Sequence, residues 1–199
     1  MKKAIIGAGG FAREVFWSLS ENERNTVKFF VEDEYLLNPT DNISPLSKLD
    51  IQEYSVIVAI GDPKIREKII QKLPSETVFF SHIHPSVIIL DKNIKIGEGS
   101  IICAGCIITT NVTLGKHTHL NLSTTIGHDT TIGNFFTTAP GAKISGNCNI
   151  GDKVYIGTNA SVKEKITICD NVTIGLNGGV IKHISESGTY VGVPVKKIK

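Results

Sequence analysis

His128 is followed directly by Asp129, and Gly146 stands eighteen residues further on. A neutral imidazole can take a proton from an attacking nucleophile. A carboxylate beside it can raise its basicity. A glycine leaves its backbone N–H open, and such a donor stabilises a developing oxyanion. A base and an oxyanion donor side by side are the parts of acyl transfer. The competing reading of His128 is a solvated surface group. Adjacent strand residues point to opposite faces, so contact between His128 and Asp129 requires a bend in the chain.

A second signal lies at the start of the chain. Lys3–Ile6 reads as a strand, Gly7-Ala8-Gly9-Gly10 as a tight turn, and Ala12–Leu19 as a helix. Gly7-x-Gly9-x-x-Ala12 between a strand and a helix matches a phosphate-binding turn, in which backbone and helix N-terminus approach the anion. Asp33 ends the second strand, Val27–Val31, where an acid meets a ribose hydroxyl or a base edge. Gly61 and Asp62 end a third strand, Val56–Ile60, and would face the same crevice. A tight turn without ligand is the alternative. Some eighty residues supply one mononucleotide-binding half, which disfavours a dinucleotide.

The remaining candidates point elsewhere. His117 and His119 stand at a corner away from His128, and no spacing brings the three onto one metal. No metal is expected. Cys103-x-x-Cys106 has no partner pair at zinc spacing, and Cys106 and Cys148 fill small-residue slots. His82 and His84 fall at a join.

These groups must be held by two kinds of element. From Ile96 to Val180 every sixth residue is Ile, Leu or Val, with Thr138 the exception. Six is the period of a parallel β-helix, in which three hexads make a coil and residues eighteen apart stack. The following residue is often glycine, as at Gly97, Gly115, Gly127, Gly133, Gly151, Gly157 and Gly175. The spacing predicts that these glycines supply turn geometry, and that small residues such as Ser100 and Thr118 fit tight corners. Before the repeat, strand and helix alternate, which implies a parallel sheet. Pro39–Pro45 reads as loop, Pro63 opens a helix through Leu73, and Thr77–Phe80 reads as a fourth strand. The expected division is 1–84 and 85–199, the latter ending in a tail from Ser185.

A net charge of +2 gives no sign of a nucleic-acid or membrane-surface partner. No apolar run approaches the ~18 residues of a membrane span. A cytoplasmic protein is expected.

Ile6-Gly7-Ala8-Gly9-Gly10, Ala59-Ile60-Gly61-Asp62, Asn121 with His128-Asp129, and Gly192-Val193-Pro194 together resemble one family along essentially the whole chain. It is the nucleotide-sugar acyltransferases: bacterial N-acetyltransferases of 4-amino-4,6-dideoxy sugars and related sialic-acid O-acetyltransferases. The resemblance implies a small Rossmann-like α/β domain followed by a left-handed parallel β-helix. It implies a homotrimer with sites between neighbouring β-helices, acetyl-CoA along the β-helix, and a nucleotide-linked amino sugar held by Gly7, Ala8, Gly9, Gly10, Asp33, Gly61 and Asp62. His128 would be the general base, Asp129 its acidic neighbour and Gly146 the amide near the thioester. Asn121 would touch the acceptor, and Gly192 and Pro194 the coenzyme. The chain departs from the family at Phe11 and Thr137, where some members carry histidines, and at Val195, where many carry Ala. O-acetylation of a sugar, or a non-catalytic nucleotide-sugar scaffold, are the rival expectations.

Overall fold

The computed structural model describes residues 1–36 and 42–199. They form two compact units, Met1–His82 and Ile83–Lys199.

In the first unit, strands β1 (Lys2–Ile6), β2 (Lys28–Val31), β3 (Ile43–Pro45) and β4 (Tyr54–Val58) make a parallel sheet in the order β3-β2-β1-β4. Helices α1 (Gly10–Ser18) and α2 (Glu21–Arg24) connect β1 to β2, and α3 (Pro63–Lys72) follows β4. Ala4, Ile5 and Ile6 and their neighbours Val56, Ile57 and Val58 are all buried. Such continuous apolar runs belong to a parallel sheet covered on both faces. The loop expected over Pro39–Pro45 is corrected at its end: Ile43–Pro45 pairs with β2. Pro45 lies on the outermost strand, where a missing N–H costs no ladder bond. Positions 39–41 lie outside the described residues. The strand expected over Thr77–Phe80 is a single bridge, Phe79 to Val56.

The second unit is a parallel β-helix. Two-residue strands stack in register eighteen apart, such as Ile126 on Ile108 and Ile144 on Ile126. The second residue of each strand points inward, so Ile108, Leu114, Leu120, Ile126, Ile132 and Ile144 join one core. Each buried aliphatic contributes roughly 1.5–3 kcal/mol by leaving water. Thr138, the polar exception, is buried with its hydroxyl 2.7 Å from Thr124 Oγ1, and it accepts from the Asn121 N–H at 2.9 Å.

The corners differ from the expectation. Where a glycine follows the inward aliphatic, it does not carry the turn. The left-handed conformation falls two residues later, at every sixth position from Gly99 to Asn177, usually on a residue other than glycine: Asn111, His117, Ser123, Asp129, Phe135 and Asn147 all have φ between 52° and 58°. The glycines instead allow close approach of coils. A Cβ on Gly115 would lie 2.4 Å from the carbonyl carbon of Gly133.

Gly115→Ala therefore forces one coil away from the next. Overpacking of this kind costs about 1–3 kcal/mol. Far-UV circular dichroism should show the β-helix melting at lower temperature. An unchanged transition would mean that coil spacing has slack at this corner.

Candidate active site

The β-helix builds a site at the corner that follows its third face. Strands Thr125–Ile126 and Lys143–Ile144 pair in register, which puts His128 and Gly146 at equivalent places on successive coils. The His128 carbonyl accepts the Asn147 N–H at 2.7 Å, leaving the ring outside. That ring lies over Gly146: a Cβ there would come within 2.6 Å of Nε2. The bend required between His128 and Asp129 is the left-handed turn at Asp129, φ 58°. It folds the carboxylate back, so that Asp129 Oδ2 lies 2.7 Å from His128 Nδ1. With Nδ1–H donating to a carboxylate, Nε2 becomes the acceptor. The His128 and Asp129 side chains are 58% and 45% exposed, so a substrate can reach them.

Gly146 has a second effect. At the corner after the first face, the N–H groups of Lys116, Asn134 and Asp152 are taken by Asn134 Oδ1, Asp152 Oδ1 and Asp170 Oδ1 of the next coil. At the His128 corner the equivalent residue is Gly146, which has no side chain. Among the described residues, no acceptor takes the Gly146 N–H either.

One member of this site escaped the sequence reading. Asn111 Nδ2 donates to Asp129 Oδ1 at 2.7 Å. This bond, first, and the His128 contact, second, hold the Asp129 carboxyl below the usual carboxylate range. The signal was present: Asn111 stands eighteen residues before Asp129.

The other expected residues fall at separate places. Asn121 lies on the preceding face of the His128 coil, and its side-chain oxygen accepts the Leu122 N–H at 2.7 Å. Thr137 is buried. Gly192 and Pro194 belong to a loop bonded to Gly179, whose N–H donates to the Gly192 carbonyl and whose carbonyl accepts the Val195 N–H, both at 3.0 Å. Gly179 lies on the third face, three coils beyond Thr125. His117 stacks on Phe135, with ring centroids 5.3 Å apart. Among the described residues, no group of three or more His, Cys, Asp or Glu is placed to hold a metal ion.

In the first unit, Gly7, Ala8, Gly9, Gly10 and Gly61 line one cavity of about 520 Å³, with Phe11, Glu32 and Tyr35. Gly7 has φ 112° and packs against the end of β4, where a Cβ would lie 3.1 Å from the Ala59 carbonyl oxygen. Helix α1 starts here without a side-chain cap, so its first N–H groups suit an anion. Two expected ligand contacts are otherwise engaged. Asp33 opens a 3-10 turn, Asp33–Tyr35, which carries its carboxylate to Ser47. It accepts from Ser47 Oγ at 2.6 Å and Ser47 N at 3.2 Å, bonds that lower its pKa. Asp33 lines a different cavity, whereas Glu32 borders the glycine cavity and accepts from Lys72. Asp62 caps α3, accepting from the N–H groups of Lys64 at 2.8 Å and Ile65 at 3.0 Å.

Comparison with known proteins adds context. Residues 2–73 match the PglD N-terminal domain. A protein of Escherichia coli O157:H7 named GDP-perosamine N-acetyltransferase is 29% identical over 170 residues, covering 77% of this chain and 74% of its own. The crystal structure of PerB from Caulobacter crescentus in complex with CoA and GDP-perosamine superposes with a TM-score of 0.87 at 27% identity, covering 100% of this chain and 98% of that one. The acetyltransferase domain of PglB from Neisseria gonorrhoeae FA1090, in complex with acetyl coenzyme A, gives a TM-score of 0.85 at 25% identity over 99% of both chains.

Asp62→Ala should remove a helix cap, worth about 1 kcal/mol. Trp17, the sole tryptophan, lies in the first unit, so its fluorescence during urea unfolding reads the loss there. An unchanged midpoint would show that the cap is dispensable.

Proposed function

We propose that this chain, which belongs with the nucleotide-sugar acyltransferases that join a PglD-type N-terminal domain to a hexapeptide-repeat β-helix, transfers acetyl from acetyl-CoA to the 4-amino group of a nucleotide-linked 4-amino-4,6-dideoxy sugar. The observation that carries this reading is the His128 ring, tied to Asp129 through Nδ1 and lying over Gly146. The N-acetyltransferase named from Escherichia coli, and the CoA, acetyl-CoA and GDP-perosamine complexes of the structural relatives, supply the donor and the acceptor class.

The geometry supports a direct mechanism. The amine nitrogen attacks the thioester carbonyl while His128 Nε2 takes a proton from it. The Gly146 N–H donates to the oxyanion of the tetrahedral intermediate. Asp129 stabilises the imidazolium. The intermediate collapses, the C–S bond breaks, and the imidazolium returns its proton to the departing thiolate. Amine attack needs no covalent enzyme intermediate.

Three coils separate the His128 corner from the Gly179 end of the third face, about 14 Å at ~4.8 Å per strand. The coenzyme is taken to run along this length toward Gly192 and Pro194. The diphosphate of the acceptor is assigned to the uncapped start of α1, over Gly7, Ala8, Gly9 and Gly10, with Gly61 beside it. A homotrimer would supply walls that a single β-helix corner lacks. Nitrogen is favoured over oxygen because a neutral amine is already a good nucleophile and needs one base, whereas a hydroxyl has a far higher pKa.

His128→Ala should lower kcat by about 10²–10⁴-fold and leave both KM values nearly unchanged. Gly146→Val should push the imidazole aside and lower kcat with little change in the far-UV melting curve, since an exposed side chain is what must move. Near-full kcat in His128→Ala would place the base elsewhere.

The acceptor is tested with acetyl-CoA and GDP-, UDP- or dTDP-linked 4-amino-4,6-dideoxy sugars, a 4-hydroxy analogue, and free or CMP-linked sialic acid, following release of thiol. The amine-bearing nucleotide sugars should turn over fastest. Preference for a hydroxyl acceptor would make the protein an O-acetyltransferase, and no turnover with any of them would favour a binding scaffold.

A further inference from the structure

The Asp129 carboxylate is half-exposed and touches His128 through one oxygen only. Alone it would exchange that contact with water. It is tethered through the other oxygen. Asn111 Nδ2 donates to Asp129 Oδ1 at 2.7 Å. A carboxylate only accepts, so the amide must present its NH₂ side to it. Asn111 is itself fixed: its backbone N–H donates to Asp91 Oδ2 at 3.1 Å, and Asp91 Oδ1 accepts the Asn93 N–H at 2.8 Å. Asn111 and Asp129 meet because both are left-handed, at φ 52° and 58°, one coil apart. Their side chains therefore leave the backbone in the same direction.

This pairing is not a general feature of the stacking. The corresponding column at the first corner holds Gly99, His117, Phe135, Lys153 and Asn171. At the second corner it holds Gly105, Ser123, Gly141, Asn159 and Asn177. Neither contains a carboxylate. An amide stacked on a carboxylate occurs at the corner that carries His128.

We infer that Asn111 is a positioning residue: its amide fixes the Asp129 carboxylate, which fixes the Nδ1–H tautomer of His128 and aims Nε2 outward. The inference rests on His128 being the base proposed above. Loss of a hydrogen bond to a charged group corresponds to about a tenfold rate effect.

Two variants test it in the full-length protein. Asn111→Gly keeps the left-handed backbone and removes the amide. Asn111→Asp keeps shape and backbone tolerance but replaces the donor by an acceptor. Each should lower kcat about tenfold and leave KM for acetyl-CoA and for the amino-sugar acceptor within about twofold. Nitrogen-15 spectra of labelled histidine, with the His128 signals identified by their absence in His128→Ala, should show an Nδ1–H tautomer in the parent and a mixture in both variants. A merely structural role for Asn111 would not move the tautomer. Unchanged kcat or an unchanged tautomer in both folded variants overturns the inference. Should one variant fail to fold, the other decides. If His128→Ala itself retains turnover, the base assignment has failed instead, and the two failures are thereby told apart.

Discussion

The β-helix depends on a left-handed residue at every sixth position. From Gly105 on, each such residue turns the chain through a corner and aims its N–H back at the preceding coil. Asp129 donates to Thr110, Asn147 to His128, and Lys165 to Gly146, each nineteen residues earlier. These bonds complete at the corners what the strand ladders do along the faces. The conformation costs about 1–2 kcal/mol for most residue types. Asn and Asp tolerate it best, and Asn occupies it at five of these corners: Asn111, Asn147, Asn159, Asn171 and Asn177. The repeated bond and the buried aliphatic beside it offset the cost.

The same constraint shapes the His128 corner. In an extended strand, the Asp129 carboxylate would point away from the His128 ring. The corner reverses that, and stacking brings a glycine under the imidazole. No long-range packing beyond the solenoid register is needed to bring together the His128 imidazole, the Asp129 carboxylate, the Asn111 amide and the Gly146 N–H. The backbone that carries these groups is part of the coil, while the His128 and Asp129 side chains remain at the surface. In the first unit an analogous economy holds, since the glycine turn and the uncapped start of α1 are both products of one strand-to-helix connection.

Much of this was legible in the residues. The period of six yields the β-helix, and the offset of eighteen yields the meeting of His128 with Gly146. What was not legible concerns backbone conformation. Composition could not tell that Gly115 serves close approach of coils while His117, a bulky residue, takes the left-handed turn. Nor could spacing alone show that Asp33 would bond Ser47, because the 3-10 turn after β2 rotates it away and leaves Glu32 at the cavity. Asp62 was expected to face the crevice, and its carboxylate instead caps the helix that begins with Pro63, a role that only the backbone N–H groups of Lys64 and Ile65 reveal. Asn111 lay within reach of the offset rule, but its partner is an acid whose direction is set by the left-handed turn at Asp129, a bend whose need the sequence shows but whose form it does not.

The eighteen-residue coil also makes the chain a graduated scale. Inserting one full coil between Gly146 and Gly179 would keep every face in phase and lengthen the span between them by one strand spacing. Inserting a single hexad would preserve the aliphatic ladder equally well, yet rotate all that follows by one face and move the Gly192 loop to another side. Length changes in such a protein are thus quantised in two units with opposite effects. One changes the distance between the His128 corner and the Gly192 loop, and the other parts them onto different sides without disturbing the core.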